Sequence, residues 1–210
     1  MYTVSLDVET SISEEADLRR LFGTDRIYLV AGASVSMIGE ITLGPEVTFA
    51  GACRIAGPVL IDKNSSLTDV RLGRDSVVRQ SSILTGVEAG ERNLFGPFCF
   101  IRDGCAVGDA CILGAHVEAA RSRFANGVKI SHRAFVGDAD IGPDTIIGAG
   151  VVFCNWDGAR RQPATVGSNA TIGSGSLLVA PILIGDGAII AAGSTVTKNV
   201  PAGGKLIQKR

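Results

Sequence analysis

The chain contains two imidazoles, His116 and His132. Histidine titrates near neutrality, so an exposed one suits general-base work at an attacking nucleophile. The pair makes a poor zinc site, because a catalytic zinc takes three protein ligands and no close third histidine is present. Cys99, Cys105 and Cys111 recur at intervals that resemble a metal cluster, and residues 154–162, CNWDGARRQ, crowd amide donors, an indole and two guanidinium groups together.

These groups must be held by a strongly periodic chain. Aliphatic or aromatic residues recur every six positions, from Leu43 through Phe49, Ile55 and Ile61 to Ile184, Ile190 and Val196, giving 24 rungs. Two positions before most of them stands a small or β-branched residue, such as Ala164, Ala170, Ser176, Ile182, Ala188 and Ser194 in the last run. Residues two apart on a strand share a face, so both point inward, and a hexapeptide can bury that face only by stacking on copies of itself. Three rungs per triangular coil predict an all-β parallel β-helix of eight coils, roughly 40 Å long at ~4.8 Å per coil. The same phase puts Cys53, Cys99, Cys105 and Cys111 at small inward positions, where free cysteine acts as a core filler. Cys154 and His132 fall on the outside.

The beat breaks three times, between Leu84 and Phe95, between Leu113 and Phe124, and between Phe153 and Val166. Surplus residues in a solenoid are expected as surface loops, and the third, 154–163, is the richest in chemistry. The expected organisation is an N-terminal segment, 1–27, and a β-helix over 28–210 carrying that loop and a C-terminal tail. In the first segment SISEEADLRRLFG has a Ser N-cap, early acids, late arginines and a final Gly, which predict a short helix.

With 20 Lys and Arg against 21 Asp and Glu, the net charge of −1 gives no electrostatic case for nucleic acid or an anionic membrane. The N-terminus lacks the pattern of a signal peptide, and no apolar run reaches the length of a membrane span, so a cytoplasmic protein with reduced cysteines is expected.

The motifs GPFCFIR, SHRAFVGDADIG, IGAGVVFCNWDG and LLVAPILIGDGAIIAAGSTVTKNVPAG give the chain a specific resemblance within the hexapeptide-repeat acyltransferases. It is similar to the glucosamine-1-phosphate acetyltransferase domain of the bifunctional bacterial enzyme that also carries an N-acetylglucosamine-1-phosphate uridyltransferase domain. The resemblance is densest from His132 to Val200 and extends back to about residue 38. It implies a left-handed coil, whereas the general preference for right-handed crossovers would give the opposite. It also implies a homotrimer with active sites between subunits, acetyl-CoA as co-substrate, and no resident metal. By position, His132 is the general base, and Glu118 is a carboxylate that could orient it. Ala149, Asn155, Trp156, Ser174, Ala192 and Lys209 would contact acetyl-CoA. Arg102 would hold the acceptor's phosphate. A sugar ammonium must lose a proton before it attacks a thioester, which suits histidine, and turn N–H groups near 147–150 are candidate oxyanion donors.

The acceptor side departs from this pattern. Where the family has Lys, Tyr, Asn and Lys, this chain has Ala120, Phe135, Ile146 and Arg161, three of which lose a polar group. A site built to bond a hydroxyl or phosphate discriminates strongly, so a changed, less polar amino-sugar acceptor is expected, as a sugar phosphate or linked to a nucleotide. No uridyltransferase half is expected ahead of the prism. The resulting expectation is an acetyl-CoA-dependent amino-sugar N-acetyltransferase. The alternatives are an O-acetyltransferase of the same superfamily and a non-catalytic β-helix, which predicts that His132→Ala has no consequence. A zinc carbonic anhydrase on the same fold is disfavoured by the histidine count.

Overall fold

The computed structural model describes residues 1–207; the expected contact at Lys209 lies outside them. These described residues form a parallel β-helix of about ten turns with one short helix. All 24 periodic residues are buried, none more than 4% exposed, as are the small residues two positions ahead of them in the last run. Removing such an aliphatic or aromatic side chain from water contributes about 1.5–3 kcal/mol, and here the contribution repeats at every rung.

Strand register resolves three inward columns. Face A stacks Leu29, Phe49, Leu67, Leu84, Ile101, Ala119, Val136, Phe153, Leu178 and Val196. Face B runs from Leu43 through Leu113, Ile130, Ile147 and Ile172 to Leu206. Face C runs from Met37 through Ala89, Val107, Phe124, Ile141 and Val166 to Ile184.

These columns correct the expectation of eight coils and of three extruded loops. Ala89 pairs with Val107 in face C, and Ala119 pairs with Ile101 and Val136 in face A, so the first two breaks are ordinary rungs carrying alanine. The repeat also begins earlier than Leu43, at Leu29 and Met37. Of the three breaks, the one at residues 154–163 alone leaves the prism. Chain length between rungs varies at one edge alone, from face A to face C: five residues from Leu67 to Leu72, six from Ile101 to Val107, thirteen from Phe153 to Val166. From face B to face A every step is six, including Leu113 to Ala119, Ile130 to Val136 and Ile147 to Phe153.

The N-terminal residues join the prism. Strand β1 (Tyr2–Ile12) pairs antiparallel with β2 (Ser34–Leu43), whereas the strands of the prism pair with one another in parallel. Helix α1 (Glu15–Phe22) buries Leu18 and Phe22 in the common core, and the Leu29 N–H donates to Glu15 Oε2 at 3.1 Å, so helix and strand cover the end of the first coil as solenoid caps do. The helix ends as expected at Gly23, which adopts the left-handed conformation with φ 63°. Its start differs: Glu14, not serine, is the N-cap, and its side chain makes no capping bond.

Cys53, Cys99, Cys105 and Cys111 are buried free thiols, and Cys154 is half-buried. Burial pushes the Cys99 thiol up to about 11 and raises the other three as well. No helix among the described residues is long and apolar enough to cross a membrane.

Candidate functional site

Counting outward from the core fixes where the expected site residues stand. Ile130, Ile147, Ile172 and Ile190 are in register on face B, so the residues two beyond each, His132, Ala149, Ser174 and Ala192, stack on four successive coils. Ala115, paired with His132, continues the row on the coil before. The structure therefore brings His132 and three of the expected acetyl-CoA positions into one line along the edge between faces B and A. All four are exposed.

Backbone bonding gives this line a chemical character. Gly148, Gly173 and Ala191 donate to the next coil, while Gly150, Gly175 and Gly193 donate to the coil before, each at 2.8 to 3.0 Å. The Gly175 and Gly193 N–H groups end on the Ala149 and Ser174 carbonyls. The N–H groups of Ala149, Ser174 and Ala192 have no partner among the described residues. A ladder of free donors at ~4.8 Å intervals thus runs down the edge from His132. Of the turn donors expected at 147–150, Gly148 and Gly150 are already engaged, which leaves Ala149.

The edge is tightly built. A Cβ on Gly148 would lie 2.5 Å from the Ser174 nitrogen and 2.8 Å from the Ile172 oxygen, both backbone atoms that cannot move aside. Ser176 and Ser194, buried just behind, donate their hydroxyls to the Gly173 and Ala191 carbonyls at 2.7 and 2.6 Å.

Glu118 does not orient His132 within this chain. Its Oε1 accepts from Arg102 Nη2 at 2.9 Å, and the His132 side chain has no hydrogen bond or ion pair among the described residues. Arg102 also bonds the Asp103 carboxylate, and the Glu118 bond, its largest influence, holds its guanidinium pKa up. The arginine expected to hold a phosphate is accordingly matched by two carboxylates. Phe135 lies directly beside Glu118 on face A. Ile146 is 46% exposed on face B, and Ala120 is completely buried.

Asn155, Trp156 and Arg161 stand at the other edge of face A. Four residue steps, from Ala134 to Asp138, separate the two edges, about 13 Å at ~3.3 Å each. Loop 154–163 is a small hairpin: Trp156 and Arg161 form an antiparallel bridge, and Asp157 Oδ1 accepts from the Ala159 and Arg160 N–H groups at 2.8 Å. Its base is tied down by Asp138. That carboxylate accepts two bonds from Arg121, at 2.7 and 3.1 Å, and one from Asn155 Nδ2, with Arg161 Nε 3.9 Å away. Arg121 is the largest cause of a lowered Asp138 pKa. Trp156 itself is 60% exposed and projects from the prism.

Sequence reasoning passed over two side chains on the B–A edge, Phe98 and Arg133, and considered His116 only as a zinc ligand. They occupy the left-handed corner next to the His132 row, and each is bonded through its backbone N–H to the coil before, ending on the Gln80, Pro97 and Ala115 carbonyls. Their spacing of 18 and then 17 residues, one coil each, was the available signal. Among the described residues no three His, Cys, Asp or Glu side chains gather as a metal-holding group.

Residues 163–198 match the family described as bacterial transferase hexapeptide (six repeats). The chain carries that family's repeat over this segment. Beyond the matched segment, it is 39% identical over 84% of its length to a protein named "Bifunctional protein GlmU" from Acidithiobacillus ferrooxidans, covering 40% of that protein. A protein of the same name from Synechococcus is 37% identical over 80% of this chain and 37% of its own. The chain therefore spans about two-fifths of the length of these curated relatives. Among solved structures, a UDP-N-acetylglucosamine acyltransferase from Campylobacter jejuni aligns with a TM-score of 0.44 at 13% identity, over 84% of this chain and 68% of that one.

Proposed function

We propose that this protein is an acetyl-CoA-dependent N-acetyltransferase of amino sugars, carried as a sugar phosphate or on a nucleotide, with His132 as general base. The observation that carries the reading is the edge on which His132 heads a column of free N–H groups at Ala149, Ser174 and Ala192. The motifs around His132 and CNWDG, and the identity to the bifunctional relatives, support it further.

His132 takes a proton from the sugar ammonium, and the freed amine attacks the acetyl carbonyl. The C–N bond forms, the C–S bond breaks, the imidazolium returns its proton to the departing CoA thiolate, and the second ammonium proton leaves the amide nitrogen for solvent. The Ala149 N–H suits the developing oxyanion, since a fixed, unpaired donor needs no reorganisation as charge appears. No acyl-enzyme is required.

In one prism the loop carrying Asn155, Trp156 and Arg161 lies a face away from His132. The active site is therefore completed by a second copy in a homotrimer, whose loop reaches the His132 edge of its neighbour. A thiol-release assay with acetyl-CoA against a panel of amino sugars, run beside His132→Ala, tests the reading. Turnover should fall about 10²–10⁴-fold in the variant, with acetyl-CoA binding retained. Equal turnover, or a monomer fully active in dilute solution, would refute the base or the shared site respectively.

A further inference from the structure

On the far side of His132 from the N–H ladder, the B–A edge carries side chains with no part in acetyl transfer. The corner there is left-handed on successive coils. The first coils fill it with Asn64 and Ser81, and the last with Gly150, Gly175 and Gly193. Between them stand Phe98 at φ 58°, His116 at φ 57° and Arg133 at φ 45°. The same conformation recurs elsewhere in the coils, at Glu46, Arg92 and Arg121 among others, so it belongs to the coil and fixes which way these three side chains project.

The three side chains form a graded surface. The Phe98 and His116 rings are stacked, centroids 5.2 Å apart and planes within 11°, yet Phe98 remains 46% exposed. One coil further, the Arg133 side chain has no carboxylate and no hydrogen-bond partner among the described residues. Beside them a groove of about 630 Å³ is lined by His116, Glu118, Arg133, Ala134, Phe135 and Val152. Glu118 in that groove is already engaged by Arg102. Arg133 is thus the groove's uncompensated cation, next to an exposed aromatic stack.

We infer that this part of the edge is a nucleoside-diphosphate site: the base lies on the Phe98–His116 stack and the diphosphate meets Arg133. Phe98 and Arg133 are two coils apart, about 10 Å, which suits the reach from base to diphosphate. Arg133 adjoins His132, so a sugar beyond the diphosphate presents its amine to the base. The inference rests on the amino-sugar reading above and narrows the acceptor to a nucleotide-linked one. The ADP portion of CoA offers the same chemistry. The acceptor is favoured because the free N–H ladder lies on the opposite side of His132, leaving that side for the acyl donor.

The test is calorimetric titration of the full chain with UDP, dTDP, ADP and CoA, for the wild type and for Phe98→Asn, His116→Asn and Arg133→Asn. Asparagine already occupies this corner at position 64, so the variants should fold, which melting curves check. UDP or dTDP is expected to bind, at least tenfold more weakly in Arg133→Asn and several-fold more weakly in Phe98→Asn, with CoA affinity unchanged throughout. The inference fails if no nucleotide binds, or if every variant binds as the wild type does. It fails equally if CoA affinity drops in the variants, since the stack then serves the donor. Arg133-dependent nucleotide binding together with no thiol release on any amine would support the site and count against the acetyl transfer.

Discussion

Asp138→Ala should release the base of the 154–163 loop and destabilise the prism measurably. Asp138 is 18% exposed and binds Arg121, itself 29% exposed, through both carboxylate oxygens; it also accepts from Asn155 and faces Arg161. Hydrogen bonds to charged groups contribute about 1.5–3 kcal/mol, and removing one member of a sheltered pair leaves the other poorly compensated. Arg121 keeps Asp103 at 2.9 Å, which moderates the loss. A net cost of about 2–3 kcal/mol follows, and for a chain of this size it lowers Tm by roughly 4–12 °C. Asp140→Ala is the control: its pair with Arg123 is 3.9 Å long and exposed on both sides, so little change is expected.

The same pair fixes a pH dependence. The Asp138 pKa is lowered in the folded chain, chiefly by Arg121, so its contribution is complete above the ordinary carboxylate pKa of about 4 and fades as pH falls through the lowered value. The gap between the wild-type and Asp138→Ala melting curves should therefore close in acid. Trp156, the sole tryptophan, should become more mobile in the variant by fluorescence anisotropy. A Tm for Asp138→Ala no lower than that of Asp140→Ala would refute the reasoning.

Gly148→Ala should destabilise by about 1–3 kcal/mol, because the new Cβ meets only backbone of the next coil; an unchanged urea midpoint would show that the coils can part there. A soluble thiol reagent should modify Cys154 in the native chain and spare the other four cysteines, counted by mass spectrometry; rapid labelling of Cys99 would contradict its burial.

Much of this architecture was legible because its signal is a period. Inward aliphatic residues at six-residue intervals leave few alternatives to a stacked coil, and the 24 so identified are all buried. Ala89 and Ala119 escaped because alanine is too common to mark a beat, although a pleat with limited room accepts it as readily as leucine. The strand β1 escaped because its period-two alternation of Val4, Leu6 and Val8 lies outside the six-residue repeat and pairs antiparallel. The outward direction of His132 could be counted from Ile130. Its stacking over Ala149, Ser174 and Ala192 follows from strand register, once the extra residues of loop 154–163 are assigned to a single edge. The capture of Glu118 by Arg102 could not be counted, because it depends on how far two flexible side chains reach across neighbouring coils.

The constancy of six residues at every step from face B to face A has a mechanical consequence. Insertions and deletions are absorbed where face A turns into face C, so they change the outline of the prism without shifting the graduations along its opposite edge. That edge behaves as a rigid ruler marked once per coil. A ligand laid along it meets aromatic, cation, imidazole and N–H donors in a fixed order, at spacings set by the hydrogen bonds between strands.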